Sequence, residues 1–144
     1  MLTLKNHSLT FLLLIIVFQA IAIASASDLR ITSVRIYFSN DRPDITVKRN
    51  YPLTAHAEMQ YTGEGILRGH WEVDGEIFAI VTKTISSGQR VVIESPDSPK
   101  IPTFVSGTHK VSFVITSPPE RLPFPRATYF VTSDEWEKKG GPQD

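Results

Sequence analysis

Turn residues recur at a regular spacing along this chain, which limits the folds that it can adopt. From Leu29 onward, short runs of β-branched and aromatic residues are separated by Gly, Pro, Asn or Asp about every ten residues. No run before the last dozen residues keeps the 3.6-residue apolar period of a helix. This pattern predicts an all-β sandwich of seven to eight strands. The predicted strands are 29–38, 45–48, 53–61, 66–73, 77–85, 89–94, 109–115 and 127–131.

Alternating apolar and polar residues assign one face of three predicted strands, 53–61, 66–73 and 109–115, to the core. Trp71 is the best candidate for the centre of that core. The run 77–85 is apolar on both faces as far as Val81, so its register stays open. The predicted core comprises Leu53, Ala57, Met59, Leu67, Trp71, Val73, Val111, Phe113 and Ile115.

The strongest predicted turn is Asp74-Gly75, which separates two strand-like runs. A two-residue type I′ hairpin needs positive φ at both central positions, and an Asp-Gly pair adopts it readily. Prolines mark the other breaks, with three in 95–102 and four in 117–125. Each proline removes a ladder N–H and stiffens its connection, so these stretches are predicted to lie between strands.

The first 26 residues differ from the rest, because 18 of them are apolar and Lys5 carries their only charge. Ala24-Ser25-Ala26 provides the small residues that a signal peptidase recognises. The pattern predicts a secretory signal peptide over 1–26, cleaved after Ala26 or, as a near alternative, after Ala24. The other alternative is a retained membrane anchor, for which the 16 residues of 9–24 are short against the roughly 20 that span a bilayer.

We therefore predict an exported protein, periplasmic or extracellular, with one sandwich domain over 27–131 and a charged C-terminal tail over 132–144. After the signal peptide, 14 Lys and Arg stand against 15 Asp and Glu, a net charge of −1. This balance argues against nucleic acid or an anionic membrane as the main partner. The absence of Cys excludes disulfides and thiolate metal sites, we expect no cofactor, and the oligomeric state stays open.

Two segments of the sequence resemble a known kind of domain. Segment 63–75 reads GEGILRGHWEVDG and is similar to the central hairpin of bacterial immunoglobulin-like domains described as cell-adhesion-related (CARDB-like). Segment 102–111 reads PTFVSGTHKV and resembles the corner that precedes the penultimate strand of the same fold. The resemblance implies an immunoglobulin-like antiparallel β-sandwich that acts as a non-catalytic binding or spacer module.

In an immunoglobulin-like topology, the loops 62–65, 86–88 and 117–125 meet at one end, where such folds commonly bind their ligands. The prolines of the third loop restrict its backbone before binding, which lowers the entropic cost of recognition. The alternative is that these prolines only route the chain between sheets and that Phe124 packs into the core. The predicted binding residues are Glu64, Glu120, Arg121, Leu122 and Phe124.

The sequence offers little support for catalysis or metal binding. No catalytic motif includes the histidines that follow the signal peptide, which are His56, His70 and His109. Asp41 and Asp44 match no calcium-binding loop, and like Asp74 they are interpreted as turn residues. We predict that the protein is not an enzyme and has no catalytic residues or metal site.

The favoured hypothesis is a non-catalytic accessory module that recognises a protein or an envelope component through its end loops or an unpaired edge strand. One alternative is a carbohydrate-binding module, which a row of exposed tyrosines or Trp136 would favour. The other is a small periplasmic enzyme or metal-dependent protein, which a cluster of His and Asp side chains would favour.

Overall fold

The computed structural model describes residues 28–133, which form eight β-strands and no helix. The strands are β1 (Arg30–Phe38), β2 (Asp44–Val47), β3 (Ala55–Thr62), β4 (Gly65–Val73), β5 (Glu76–Ile85), β6 (Arg90–Glu94), β7 (Gly107–Ser117) and β8 (Arg126–Val131). Within this range no helix is long and apolar enough to cross a membrane. The predicted signal peptide, its cleavage points and Trp136 lie outside the described residues.

The strands form two sheets, one with the order β1-β3-β6 and one with the order β2-β8-β7-β4-β5. This arrangement confirms the prediction of an all-β sandwich. Every pair of neighbours is antiparallel except β2 and β8, which run parallel. The connection 39–43 carries the chain from the first sheet to the second, and Pro43 ends it beside the short edge strand β2. An edge position tolerates a nearby proline because one side of the strand needs no ladder N–H.

The core lies between the two sheets and holds the apolar faces of their strands. All nine side chains of the predicted core are buried. Trp71 and Phe113 meet edge to face, with ring centroids 5.1 Å apart, and Phe38 and Tyr129 meet in the same way at 6.3 Å. Such aromatic pairs add about 0.5–1.5 kcal/mol beyond the area that they bury. Phe38 and Tyr129 were missing from the prediction, although both are fully buried.

A tight hairpin turn joins β4 to β5. Asp74 and Gly75 have φ angles of 53° and 88°, which are the positive values that a type I′ turn requires. The turn fixes the pairing of β5 against β4, which the sequence left open. In that pairing Val81 lies opposite Gly69, and a bulge shifts the register near the turn.

Candidate functional site

Strand β5 is an edge strand with one open side. It has ten residues, from Glu76 to Ile85, and in the five-stranded sheet it pairs with β4 alone. The opposite side has no strand partner in the described part of the chain. The backbone N–H and C=O groups on that side are therefore available to another extended chain.

The pairing with β4 places one large apolar side chain of β5 in solvent. Ala79 lies opposite the buried Trp71 and belongs to the inner face, whereas Ile80 lies opposite His70 on the outer face. Ile80 is 83% exposed, more than any other large hydrophobic side chain of residues 28–133. Burying such a side chain is favourable by about 1.5–3 kcal/mol, so its exposure at a free edge suits it for contact with a partner.

A β-bulge brings a second isoleucine to the same outer face. Side chains alternate along a regular strand, so Ile77 would otherwise share the inner face with Ala79. The register shift instead places Ile77 opposite Glu72, where it is 58% exposed, and Phe78 becomes the extra residue that packs against the core. The bulge explains why this run is apolar on both faces in the sequence.

A groove lies between β5 and β6, one of the two edge strands of the other sheet, and has a volume of about 530 Å³. Its walls come from both strands, with a positive charge on β5 and a negative charge on β6. The lining residues are Val81, Thr82, Lys83, Val92, Ile93 and Glu94. A chain bound along the β5 edge would have this groove on one face and the outer isoleucines on the other.

Two of the three predicted end loops, 62–65 and 117–125, contact the first described residues, and the loop 86–88 contacts the end of β3. The Glu64 backbone N–H donates to Asp28 Oδ1 at 2.9 Å, and the Tyr61 hydroxyl donates to the Ser86 carbonyl at 3.0 Å. From the third loop, Glu120 Oε1 accepts a hydrogen bond from the Ile31 N–H at 2.9 Å. These bonds tie the loops to the ends of the strands.

The side chains of the proline-rich loop divide between solvent and core. Arg121 is exposed, as is Glu64 in the first loop. Glu120, which accepts the hydrogen bond from β1, is half-buried. Leu122 and Phe124 are half-buried and pack against the hydrophobic core. The loop therefore does not present Leu122 and Phe124 as a freely exposed apolar surface, because its prolines route the chain back over the edge of the core.

Asp74 and His109 tie the β4–β5 turn to the start of β7. His109 Nδ1 lies 2.7 Å from Asp74 Oδ2, and its Nε2 lies 3.0 Å from the Val105 carbonyl oxygen. Both neighbours are acceptors, and only the protonated imidazolium can donate from both ring nitrogens. The Lys110 N–H donates to Asp74 Oδ1 at 2.9 Å, and the His109 ring stacks on Tyr129 at 5.1 Å.

The ionisation of this pair follows from the same contacts. The hydrogen bond to Asp74 raises the pKa of His109, with partial burial opposing it. Partial burial acts to raise the pKa of Asp74, but the hydrogen bonds from His109 and from the Lys110 backbone outweigh it and lower that pKa. When His109 is protonated, the two groups form an ion pair between the hairpin turn and β7.

The residues considered for metal or carbohydrate binding lie apart from one another. His56 belongs to β3 and stacks on Tyr37, while His70 belongs to β4 in the other sheet. Residues 28–133 contain no group of three or more His, Asp or Glu side chains that could hold a metal ion. Tyr51 lies between β2 and β3 and is exposed, and Tyr129 is fully buried. The carbohydrate and metal alternatives therefore gain no assembled site from these residues.

Comparison with known proteins finds no family model and no curated protein that matches this chain. The resemblance to immunoglobulin-like cell-adhesion-related domains stays a prediction. Ile77 and Ile80 were not named from the sequence as binding residues. Their exposure depends on the bulge and on the strand order, and the only indication in the sequence was an apolar pattern on both faces of one hairpin arm.

Proposed function

We propose that this chain is an exported, non-catalytic binding module that recognises a protein or an envelope component through the open edge of β5. The observation that carries the proposal is the position of Ile80, 83% exposed in the middle of a ten-residue edge strand. Proteins commonly protect such edges with Lys or Pro, yet the six residues from Ile77 to Thr82 contain no charge and no proline.

Recognition would proceed by strand addition. An extended segment of the partner pairs with the free backbone groups of β5, and these main-chain hydrogen bonds supply affinity. Its side chains alternate between the two faces of the sheet. Those on the outer face contact Ile77 and Ile80, and those on the inner face enter the groove between β5 and β6. Apolar side chains at alternate positions of the partner would therefore be selected.

The remaining polar groups support a binding role over a catalytic one. His109 and Asp74 are engaged in holding the hairpin turn, and His56 and His70 lie in different sheets. Export follows from the predicted signal peptide, which places the partner in the periplasm or outside the cell.

The test is retention of host envelope proteins on the immobilised chain. Ile80→Lys adds a charge at the centre of the open edge and should abolish retention. Phe130→Lys is the matched control, because Phe130 is 45% exposed on β8, which lies between two paired strands. Both variants should keep the unfolding midpoint of the unchanged chain.

Retention that survives Ile80→Lys would contradict the proposal, and so would equal loss in both variants. An Arg121→Ala variant distinguishes the end loop from the edge. If that variant alone loses the retained protein, the binding surface lies at the proline-rich loop instead.

A further inference from the structure

We propose that the partner of the β5 edge is a second copy of this chain, paired so that the two β5 strands run antiparallel in one continuous ten-stranded sheet. This inference rests on the proposed use of the β5 edge and adds the identity of the occupant. Three observations support it: Ile80 lies at the centre of the strand, the opposite charges of Glu76 and Lys83 lie near its two ends, and Ile80 is exposed.

The most exposed apolar side chain lies at the centre of the strand. Ile80 is the fifth of the ten residues of β5. A two-fold axis perpendicular to the sheet at this point places Ile80 opposite the same residue of the second copy, on the same outer face. Directly opposite side chains in antiparallel strands have Cβ atoms about 4.5–5.5 Å apart. Each Ile80 would therefore be covered by its own counterpart.

The charges of β5 complement one another in this register. Phe78 is the extra residue of the bulge and does not count in the pairing. Centring on Ile80 then sets Ala79 opposite Val81, and Glu76 opposite Lys83 of the second copy. The two-fold axis generates the same ion pair again at the other end. A parallel arrangement would instead bring Glu76 close to its own copy, which opposes that arrangement.

The same register pairs the second exposed isoleucine with a residue of its own face. Ile77 lies opposite Thr82 of the second copy, and both side chains point to the outer face of the sheet. The contact is isologous, so that both copies use the same surface and the assembly closes as a dimer. Strand β6, the edge strand that borders the same groove, is shorter, with five residues and with Arg90 and Glu94 at its ends.

The first experiment measures the mass of the exported chain, which begins at Ser27 after the predicted cleavage, by sedimentation equilibrium over a concentration series. We expect twice the mass of one chain, and Ile80→Lys should reduce it to that of one chain, because two ammonium groups would face each other across the axis. Phe130→Lys should remain dimeric. A chain that is monomeric throughout the series overturns the inference.

Charge reversal tests the register. Glu76→Lys alone should weaken dimerisation by placing like charges opposite each other at both ends of the interface. The double variant Glu76→Lys, Lys83→Glu restores opposite pairs and should recover the dimer. If the double variant is as weak as the single one, the antiparallel register centred on Ile80 is wrong.

Cross-linking provides a direct measure of distance, because the chain has no Cys. Cα atoms that are directly opposite lie about 4.5–5.5 Å apart, within the range that a disulfide accepts. Ile80→Cys should therefore form a disulfide-linked dimer under oxidation. Thr84→Cys, on the same face of β5, should not, because the two Thr84 positions would be more than about 20 Å apart. Equal cross-linking of both variants would overturn the inference.

The outcomes separate this inference from the proposed function. If the chain is monomeric but Ile80→Lys still abolishes retention of a host protein, the inference fails and the proposed function stands. If the chain is dimeric through β5 and retains no other protein, the inference holds and the β5 edge is occupied by self-association.

Discussion

The edge strands β5 and β6 border the same groove, yet they differ in length and in what their side chains contact. β6 has five residues, and Arg90 at its start bonds to Glu58 Oε2 at 2.7 Å. Its Ile93 is buried and its last residue, Glu94, is exposed. β5 is twice as long, and Ile80 at its centre is 83% exposed.

The comparison shows two ways in which an edge can be arranged. A short strand with charged ends resists pairing with another chain, because a new strand would have to cover those charges. Both strands carry charges near their ends, but β5 has six uncharged residues between Glu76 and Lys83, whereas β6 has three between Arg90 and Glu94. The difference leaves β5 as the longer and more apolar of these two edges, which is the edge that the proposed function uses.

The largest effect is expected from truncating the buried side chain of β4 that lies next to β5. Trp71 is fully buried on β4 opposite Ala79, so Trp71→Ala should lower the free energy of unfolding by about 3–5 kcal/mol. Ile80→Ala on the exposed edge should change it by less than about 0.5 kcal/mol. Urea unfolding measures both. A loss below about 1 kcal/mol for Trp71→Ala would contradict its place in the core.

A smaller loss is expected where β4 approaches β7. A Cβ at Gly69 would lie 2.7 Å from Phe113 Cζ and 2.7 Å from the Val114 carbonyl oxygen. The backbone oxygen cannot move without disturbing the β4–β7 pairing, so Gly69→Ala should cost about 1–3 kcal/mol in urea unfolding. Gly75→Ala is the matched control for space, because nothing lies within 4 Å of its added Cβ. Its positive φ nevertheless makes that change mildly unfavourable.

The protection of β6 can be removed by substitution. Arg90→Ile with Glu94→Ile gives β6 an apolar edge, and we expect assemblies larger than a dimer, detected by light scattering. Arg90→Gln with Glu94→Gln removes the same charges without adding apolar surface and should not assemble further. Large assemblies in both double variants would show that charge alone, rather than the apolar edge, controls association.

The smallest effect concerns the ion pair that ties the β5 hairpin to β7. The pKa of His109 is raised above its ordinary 6.5, so its contribution to stability is complete below about pH 6.5 and is lost as the pH rises through the folded-state value. The pKa of Asp74 is lowered below 3.8, so its contribution is present above about pH 3.8 and is lost as the pH falls through the folded-state value.

The unfolding midpoint should therefore decline above about pH 6.5 in the unchanged chain. His109→Gln cannot be protonated, and it should remove that part of the decline in thermal unfolding between about pH 5 and about pH 8.5. The same decline in both proteins would show that His109 does not control it. At the end of β6, the histidine contact is longer, with His56 Nδ1 3.6 Å from Glu94 Oε1.

The order of the strands, the hairpin turn and most of the core can be predicted from the amino-acid sequence alone. Alternation along a strand is a local property, and Leu67, Trp71 and Val73 are buried as their spacing indicates. The positive φ angles at Asp74 and Gly75 likewise follow from residue type. Neither property depends on distant parts of the chain.

The strands that lie at the edges of the sheets, and the contacts that cover the remaining apolar residues, depend on the tertiary structure. Phe124 packs against a core that distant strands assemble, and Ile77 faces outward because a bulge shifts its pairing with β4. Ile80 is exposed because β5 is last in its sheet. Strand order and long-range pairing determine these outcomes, and no local pattern of residues encodes which neighbour a strand lacks.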